Sequence, residues 1–465
     1  MPASMHTGDW RRAPSPACAL SASSTRRATD IALATGSLPQ PRPSHATTAL
    51  TQRRAAAFSL RRSSWSVVAL CTAAALLLAA CLKPAGVRYP ELPTQQNGAL
   101  HVIAFDVGQS DAMLLLHKNR SMLIDAGSTI YEPHRVANRV PRRLEALTGS
   151  RQLDYMVVTH YHADHFGRPG GDRRGVSRPT GLYALMEQEG ITVETMVDRG
   201  FWNLHGDKGS TQRKYETYVQ RWMQQGLVQK RRQVYPGDTL DMGPGLRVEV
   251  VTAMGNGQID RLAAMFPSMM EEYAPTENDY SIGLKIEKGD FEMFTAGDLS
   301  GTNQLRRYGP IRQSYNDMES RIADDLGALE VYRVNHHGSA FSSNPCFVEV
   351  LHPLVSIISS GENTYGHPDP QVYTRLKSYG DVWITGGADP RVRDQLAAAD
   401  IVGGDVEVLV APDGEEFWVN GEAYPTLSDA EEAARPNARA SCEDTLDSTR
   451  QQPQQETLDI KGAPD

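Results

Sequence analysis

Several classes of protein are excluded by what this 465-residue chain has little of. Cysteine is scarce: Cys18, Cys71, Cys81, Cys346 and Cys442 are the five, and no CxxC pair occurs, so no dense disulfide framework or paired-cysteine metal site is indicated. Mean hydropathy is −0.43, which rules out a polytopic membrane protein. No repeat is visible at the period of roughly 20–50 residues that marks solenoids. What remains, at 40% hydrophobic residues, is enough to bury the core of one large α/β domain.

One apolar stretch, Trp65 to Ala80, follows Arg61-Arg62 and ends Leu78-Ala79-Ala80-Cys81. It falls short of the roughly 20 residues of a spanning helix. A basic start, a short apolar centre and small residues before a break describe a secretory signal over residues 61–81. The cysteine after Leu-Ala-Ala is similar to the lipobox of bacterial lipoproteins, with Cys81 as the lipidated first residue of the mature chain. An uncleaved N-terminal anchor is the alternative, and either implies export to the cell envelope. Residues 1–60, rich in Ser, Ala, Pro and Arg, fit no part of a signal and read as an over-extended start or a disordered leader. Residues 82–99 read as a linker and 427–465 as a polar, Gln-rich disordered tail.

Residues 1–81 hold nine Arg and two acids. Of 47 basic and 56 acidic residues, 38 and 54 therefore remain in the mature chain, a net charge of −16. A protein that grips long nucleic acid usually carries a basic face, so processive DNA binding is disfavoured; contact with a single phosphodiester is not. Cys346 and Cys442 are the thiols left after removal of the leader. A bond between them would suit an oxidising compartment, but Cys442 lies in the polar tail and no disulfide is expected.

Strand signals begin at Leu100–Phe105, Ala112–Leu116 and Met122–Ile124, and a basic amphipathic helix follows over Arg135–Leu147. Leu153–Val158 reads as a buried strand, Thr180–Glu189 and Gln212–Gln225 as helices. Strands resume at Leu246–Val251, Ser281–Ile286, Phe291–Thr295, Leu329–Val334 and Val355–Ile358, and Val406–Val410 pairs with Glu416–Val419 in a hairpin. Two groups of strands, each interleaved with helices, imply two sheets back to back with helices outside.

The densest chemistry is His160-Tyr161-His162-Ala163-Asp164-His165, directly behind Tyr155-Met156-Val157-Val158-Thr159. Three imidazoles and a carboxylate at the end of a buried strand are costly without a common partner. A divalent metal is that partner, since imidazole nitrogens and carboxylate oxygens are its usual ligands.

HxHxDH after an apolar strand resembles the signature of the metallo-β-lactamase fold superfamily. The other motifs resemble the β-lactamase-like domain of ComEC-type competence proteins. They are Phe105-Asp106-Val107-Gly108-Gln109-Ser110-Asp111-Ala112, Leu123-Ile124-Asp125-Ala126-Gly127, Asn278-Asp279-Tyr280-Ser281, Phe294-Thr295-Ala296-Gly297-Asp298, Asn335-His336-His337-Gly338-Ser339 and Ser360-Gly361-Glu362-Asn363-Thr364-Tyr365-Gly366-His367-Pro368. Ser110 stands where the family usually has glycine, and residues 167–245 have no recognised counterpart and read as an insert. The resemblance implies a four-layer αββα sandwich over residues 100–426, with the motifs on loops at one edge.

In the arrangement this implies, one metal takes His160 and His162, the other takes Asp164 and His165, and Asp298 bridges them. His337 completes the second site, with His336 as the alternative ligand or a supporting donor. The first site's third ligand is open: His205 lies in the unmatched segment, and Asn278 stands where related sequences keep an asparagine. Asp125 is expected to hydrogen-bond the metal loop rather than the metal. Asp106 and Asp111 either support the site or cap the Val107-Gly108-Gln109 turn. His367 either reaches the cleft, to bind or protonate a leaving group, or packs under the strand edge.

Two divalent ions are thus expected, zinc first, with manganese or iron as alternatives. Paired cations make hydroxide available near neutral pH, and Asp164 is placed to orient that nucleophile. The expected activity is hydrolysis of a phosphodiester or related ester in nucleic acid, a nucleotide or a phospholipid head group. Arg168, Arg173, Arg174 and Arg178 would meet its anionic group unless they are simply solvated. Amide or lactam hydrolysis, and a non-catalytic metal-containing binding lipoprotein, are the other readings.

Overall fold

The computed structural model describes residues 97–129, 132–171, 177–200, 210–257, 274–308 and 311–427. Cys81, the signal and leader, His205, Arg173, Arg174 and all but the first residue of the polar tail lie outside them. From Leu100 the order is β1 (Leu100–Ala104), β2 (Met113–His117), β3 (Arg120–Ile124), α1 (Arg135–Thr148), β4 (Gln152–Val157) and a single turn, α2 (Ala163–Phe166). Then come α3 (Gly181–Glu187), β5 (Thr192–Asp198), α4 (Ser210–Gln224), β6 (Val228–Gln233), β7 (Arg247–Thr252) and β8 (Ala274–Pro275). The second half runs β9 (Gly283–Lys288), β10 (Phe291–Thr295), β11 (Gln304–Tyr308), β12 (Ile311–Tyr315), α5 (Glu319–Leu326), β13 (Val331–Arg333), α6 (Pro345–Leu351), β14 (Val355–Ile358) and α7 (Pro370–Lys377). It closes with β15 (Asp381–Ile384), β16 (Val406–Val410), β17 (Glu416–Val419) and β18 (Glu422–Pro425).

Alternation along the strands builds the layers. In β1, Leu100, Val102 and Ala104 face one core while Ile103 faces another; β2 divides Met113 and Leu115 from Leu114 and Leu116 in the same way. The first face packs against Val248, Val250, Ile286, Met293, Val331 and Val355, so a nine-stranded and a six-stranded sheet lie back to back. Outside the nine-stranded sheet, α1 contributes Val136, Val140 and Leu144, and α4 contributes Tyr215, Val219 and Trp222. Outside the six-stranded sheet, α5, α6 and α7 bury Ile322, Phe347 and Leu376 against Phe294, Tyr332 and Ile358. The result is a four-layer αββα sandwich.

β3, β4, β5 and β6 are mutually parallel, as are β10, β13, β14 and β15. Parallel neighbours need crossovers, and helices supply most of them. The carboxyl ends of β4, β10, β13 and β14 each run into one of the motifs. Open α/β sheets bind ligands beyond that end of their strands.

Three features differ from the sequence reading. Within residues 167–245, read as an insert, α3, β5, α4 and β6 extend the nine-stranded sheet by two parallel strands that the pattern did not signal. β6 escaped the pattern because it is a charged edge strand, Val-Gln-Lys-Arg-Arg-Gln, with only Val228 fully buried. The β11–β12 hairpin, paired to β8 in a small third sheet, is likewise too polar to read as buried strand. Cys346, expected as a free thiol, is disulfide-bonded; the other four cysteines lie outside the described residues.

Candidate metal centre

The site is built from Asp125 outward. This residue follows β3 with a left-handed φ of 57°, a conformation aspartate tolerates better than most residues. Its backbone N–H donates to Val157 O at 2.8 Å, tying β3 to the end of β4. Its Oδ1 accepts from Thr159 N at 2.8 Å, and its Oδ2 from Thr159 Oγ1 and His165 Nδ1, both at 2.7 Å. One buried carboxylate therefore fixes the start of the metal loop and the ring of its last histidine.

Asp298 follows β10 in a turn that needs glycine before it. Gly297 has φ 51°, and a Cβ there would lie 2.4 Å from Thr159 Oγ1. This close approach delivers Asp298 into the middle of the imidazoles. Its Oδ1 is 3.0 Å from His165 Nε2 and 3.6 Å from His337 Nε2. Its Oδ2 is 3.8 Å from His160 Nε2 and 3.6 Å from His336 Nε2. His162 Nδ1 lies 3.1 Å from His160 Nε2, and Asp164 Oδ2 lies 3.6 Å from His337 Nε2. His337 is oriented from behind, its Nδ1 donating to Ser359 O at 2.8 Å.

Two donor sets result, each with ligand atoms within 4.8 Å of one another: His160, His162 and Asp298; and Asp111, His165, Asp298 and His337. Asp298 belongs to both. Buried His337 Nε2 has no hydrogen-bond partner among the described residues, and buried His165 Nε2 and Asp298 Oδ1 face each other at 3.0 Å. A buried donor or acceptor left unmatched costs roughly 1–3 kcal/mol. Convergent nitrogen and carboxylate donors of this kind are what a divalent cation satisfies, so these residues fit the metal that the sequence implies.

The electrostatics agree. Burial alone would raise the Asp298 carboxyl, but His165, His336 and His337 around it hold it well below the usual carboxylate range. Burial, reinforced by His165, pushes His160 well below the usual imidazole value, favouring the neutral ligand form. Burial lowers His336 to about 4. His165 goes the other way: burial opposes its charge, yet Asp298 and Asp125 raise it well above the usual value. Two carboxylates there demand a positive charge, and a bound cation would supply it in place of the proton.

The remaining sequence candidates are placed as follows. Asp106 stays away from the donors, accepting from Arg135 Nη1 at 2.5 Å and Gly108 N at 3.3 Å. Asp111 sits in the second set but is ion-paired with the buried Arg333, whose Nη1 donates to Gly297 O at 3.1 Å. Asn278 Nδ2 is 3.4 Å from His336 Nε2. The His367 ring lies 5.5 Å from that of His336 and 6.3 Å from that of His337, centroid to centroid. Burial, then the His336 and His337 charges, push His367 well below the usual imidazole value. Thr159, Arg333 and Ser359 were not singled out from sequence. Arg333 alone offered a signal, a cation inside an apolar strand directly before a histidine motif.

Residues 105–168 match the family model of the metallo-beta-lactamase superfamily. ComE operon protein 3 of Bacillus subtilis (strain 168) is 23% identical over 287 residues, covering 59% of this chain and 30% of the relative. Competence protein ComA of Neisseria gonorrhoeae is 24% identical over 327 residues, covering 68% and 36%. The chain thus spans about a third of the length of the curated relatives it matches. Among solved structures, the metallo-beta-lactamase fold protein YhfI of Bacillus subtilis is 11% identical, covering 63% of this chain and 97% of that one, with a TM-score of 0.34.

Proposed function

From a chain of metallo-β-lactamase fold that resembles the competence proteins, we propose an exported, metal-dependent hydrolase that cleaves a phosphodiester or related ester. The observation that carries this reading is Asp298, a buried carboxylate whose two oxygens face different histidine sets. His160, His162 and Asp298 would hold one divalent ion; His165, Asp298 and His337, with Asp164 or Asp111, would hold the other. Zinc suits these donors best, with manganese or iron as alternatives. When bound, such a pair supplies Lewis acidity and activates water near neutral pH.

The chain's own residues provide the rest. Asp125 and Ser359 O fix the Nδ1 side of His165 and His337, leaving each Nε2 aimed at the centre. Asp164 faces the second set and would orient the attacking water. A phosphodiester, with two non-bridging oxygens for two cations, is the substrate class this symmetry favours, whether in nucleic acid, a nucleotide or a phospholipid head group. The disulfide at Cys346 supports an oxidising compartment. A lipid on Cys81 would hold the enzyme at the envelope; among the described residues no helix is long and apolar enough to cross a membrane.

The test is hydrolysis by the full chain loaded separately with zinc and manganese, on bis(p-nitrophenyl) phosphate, linear DNA and a chromogenic cephalosporin. Asp164→Ala/His165→Ala is the control. Phosphodiester cleavage lost in the double variant is expected. Turnover of the cephalosporin alone would replace the reading with lactam hydrolysis. Two bound metals with no turnover would point to a non-catalytic binding lipoprotein. Incorporation of labelled palmitate that disappears in Cys81→Ser checks the anchor.

A further inference from the structure

The metal donors leave Gln109, a buried polar side chain of the opening motif, without a role. Gln109 is 3% exposed and sits between two loops. Its Oε1 accepts from Ser360 Oγ at 3.1 Å and from Gly361 N at 3.4 Å. A backbone N–H can only donate, so the amide oxygen must face Gly361. The amide nitrogen then faces His367 Nδ1 at 3.1 Å. An amide NH2 also only donates, so Nδ1 must be a bare acceptor, and a neutral imidazole with Nδ1 bare carries its proton on Nε2. Reversing the amide would set an NH2 against the Gly361 N–H.

The frame around this contact is rigid. A Cβ at Gly361 would lie 2.5 Å from Gly108 Cα and 2.7 Å from Gln109 N, so the two loops meet backbone to backbone. His367 is held by Asn363, whose Oδ1 accepts from its N–H at 3.2 Å and whose Nδ2 donates to its carbonyl at 2.8 Å. Asp389 N donates to the same carbonyl at 2.9 Å.

We infer that Gln109 is a positioning residue that fixes His367 as the neutral Nε2–H tautomer, making it a hydrogen-bond donor to an anionic oxygen of the ester. This rests on the hydrolase reading for its substrate. It also decides between the two cleft roles open to His367: a neutral imidazole that gave up its Nε2 proton would become an imidazolate, so His367 binds charge and does not protonate the leaving group. No bond to His367 forms or breaks.

Two measurements on the full chain test this. The first is long-range proton–nitrogen correlation on protein labelled with 15N-histidine. A pyridine-like Nδ1 and a pyrrole-like Nε2 are expected at His367. In Gln109→Glu, whose carboxylate can still accept from Ser360 and Gly361, Nδ1 should become pyrrole-like. A protonated Nδ1 in the unaltered protein would overturn the assignment, and this readout needs no turnover.

The second compares bis(p-nitrophenyl) phosphate with diphenyl phosphate, whose leaving group is poorer. Gln109→Leu, checked for folding by circular dichroism, should slow both by about 10–100-fold, the range for loss of a group that orients another. A loss much larger on diphenyl phosphate would mean that His367 protonates the leaving oxygen, against the inference. If the unaltered protein hydrolyses neither ester, the hydrolase reading fails, while the nitrogen shifts still decide the role of Gln109.

Discussion

Around the shared Asp298, the side built from His165 and His337 is braced at both rings, whereas the side built from His160 and His162 is braced at one. His165 leans on Asp125 at 2.7 Å and His337 on Ser359 O at 2.8 Å. Among the described residues, His160 has only Thr159 Oγ1 at 3.2 Å behind it. His162 meets the ring of His160, and no buried oxygen braces it among the described residues. Orienting partners set the tautomer and basicity of a metal-binding imidazole, and their loss typically costs about 10–100-fold in affinity. The asymmetry therefore predicts one tight and one weak metal equivalent.

The variant that erases the comparison altogether is Asp298→Ala. Because both sets use this carboxylate, both equivalents should be lost, and kcat/KM on a phosphodiester should fall by at least about 10³-fold. Mass-spectrometric metal counting with rate measurement checks this; a variant that keeps one tight equivalent would show that the carboxylate serves a single site. The next effect separates the two sides. His165→Ala should abolish the tight equivalent, while His162→Ala should leave it in place and remove the weak one, as read by calorimetric titration with zinc. Equal losses would mean that the two sites form only together.

Asp125→Ala should act at one remove, weakening the tight equivalent by about 10–100-fold. Asp125 also holds Thr159, which stands behind His160, so some loss at the weak site should accompany it. Thr159→Val isolates that route and should alter the weak equivalent alone, by a few-fold. A Thr159→Val variant that loosened the tight equivalent would show that the two sides are not independently supported.

Much of this arrangement was legible in the sequence because the donors announce themselves. Histidine and aspartate clustered behind an apolar strand have few uses other than a metal, and the alternating strands carry the period that places them at one edge. The supporting shell was less legible for a physical reason. Ser359 contributes only a backbone carbonyl, which no residue type signals, and Thr159 and Gln109 act through contacts 34 and 251 residues away along the chain. β6 was missed because an edge strand needs charge on its open side and so loses the pattern of burial. Asp111 illustrates the limit from the other direction. It has a ligand's chemistry and position, but it lies in the loop before β2 while its partner Arg333 lies on β13, and only the fold reveals the pair.

The smallest expected effect concerns how the braced side is held from further back. Glu319 is fully buried; its Oε1 accepts from Asn335 Nδ2 at 2.8 Å and Ser343 N at 2.7 Å, and its Oε2 from Asn344 N at 2.8 Å. Asn335 opens the turn in which His336 and His337 both take left-handed φ, 51° and 53°, which non-glycine residues adopt only when their surroundings enforce it. Burial pushes the Glu319 carboxyl up to about 8, although its three donors pull the other way. An unfolded glutamate titrates near about 4.3, so between that value and about 8 the folded chain binds more protons than the unfolded one. The stability this group contributes is therefore complete below the unfolded value, falls as pH rises, and is gone above the folded one. The midpoint of thermal unfolding should drop between pH 6 and 9, and Glu319→Gln, which cannot ionise, should flatten that drop by about 2–4 °C. Asp279, raised by burial to about 7, adds a decline of the same sign that both proteins share, so the difference between their curves belongs to Glu319. Parallel curves would mean that the three donors already hold Glu319 ionised at pH 6, and the turn carrying His337 would then rest on a fixed charge rather than on a proton.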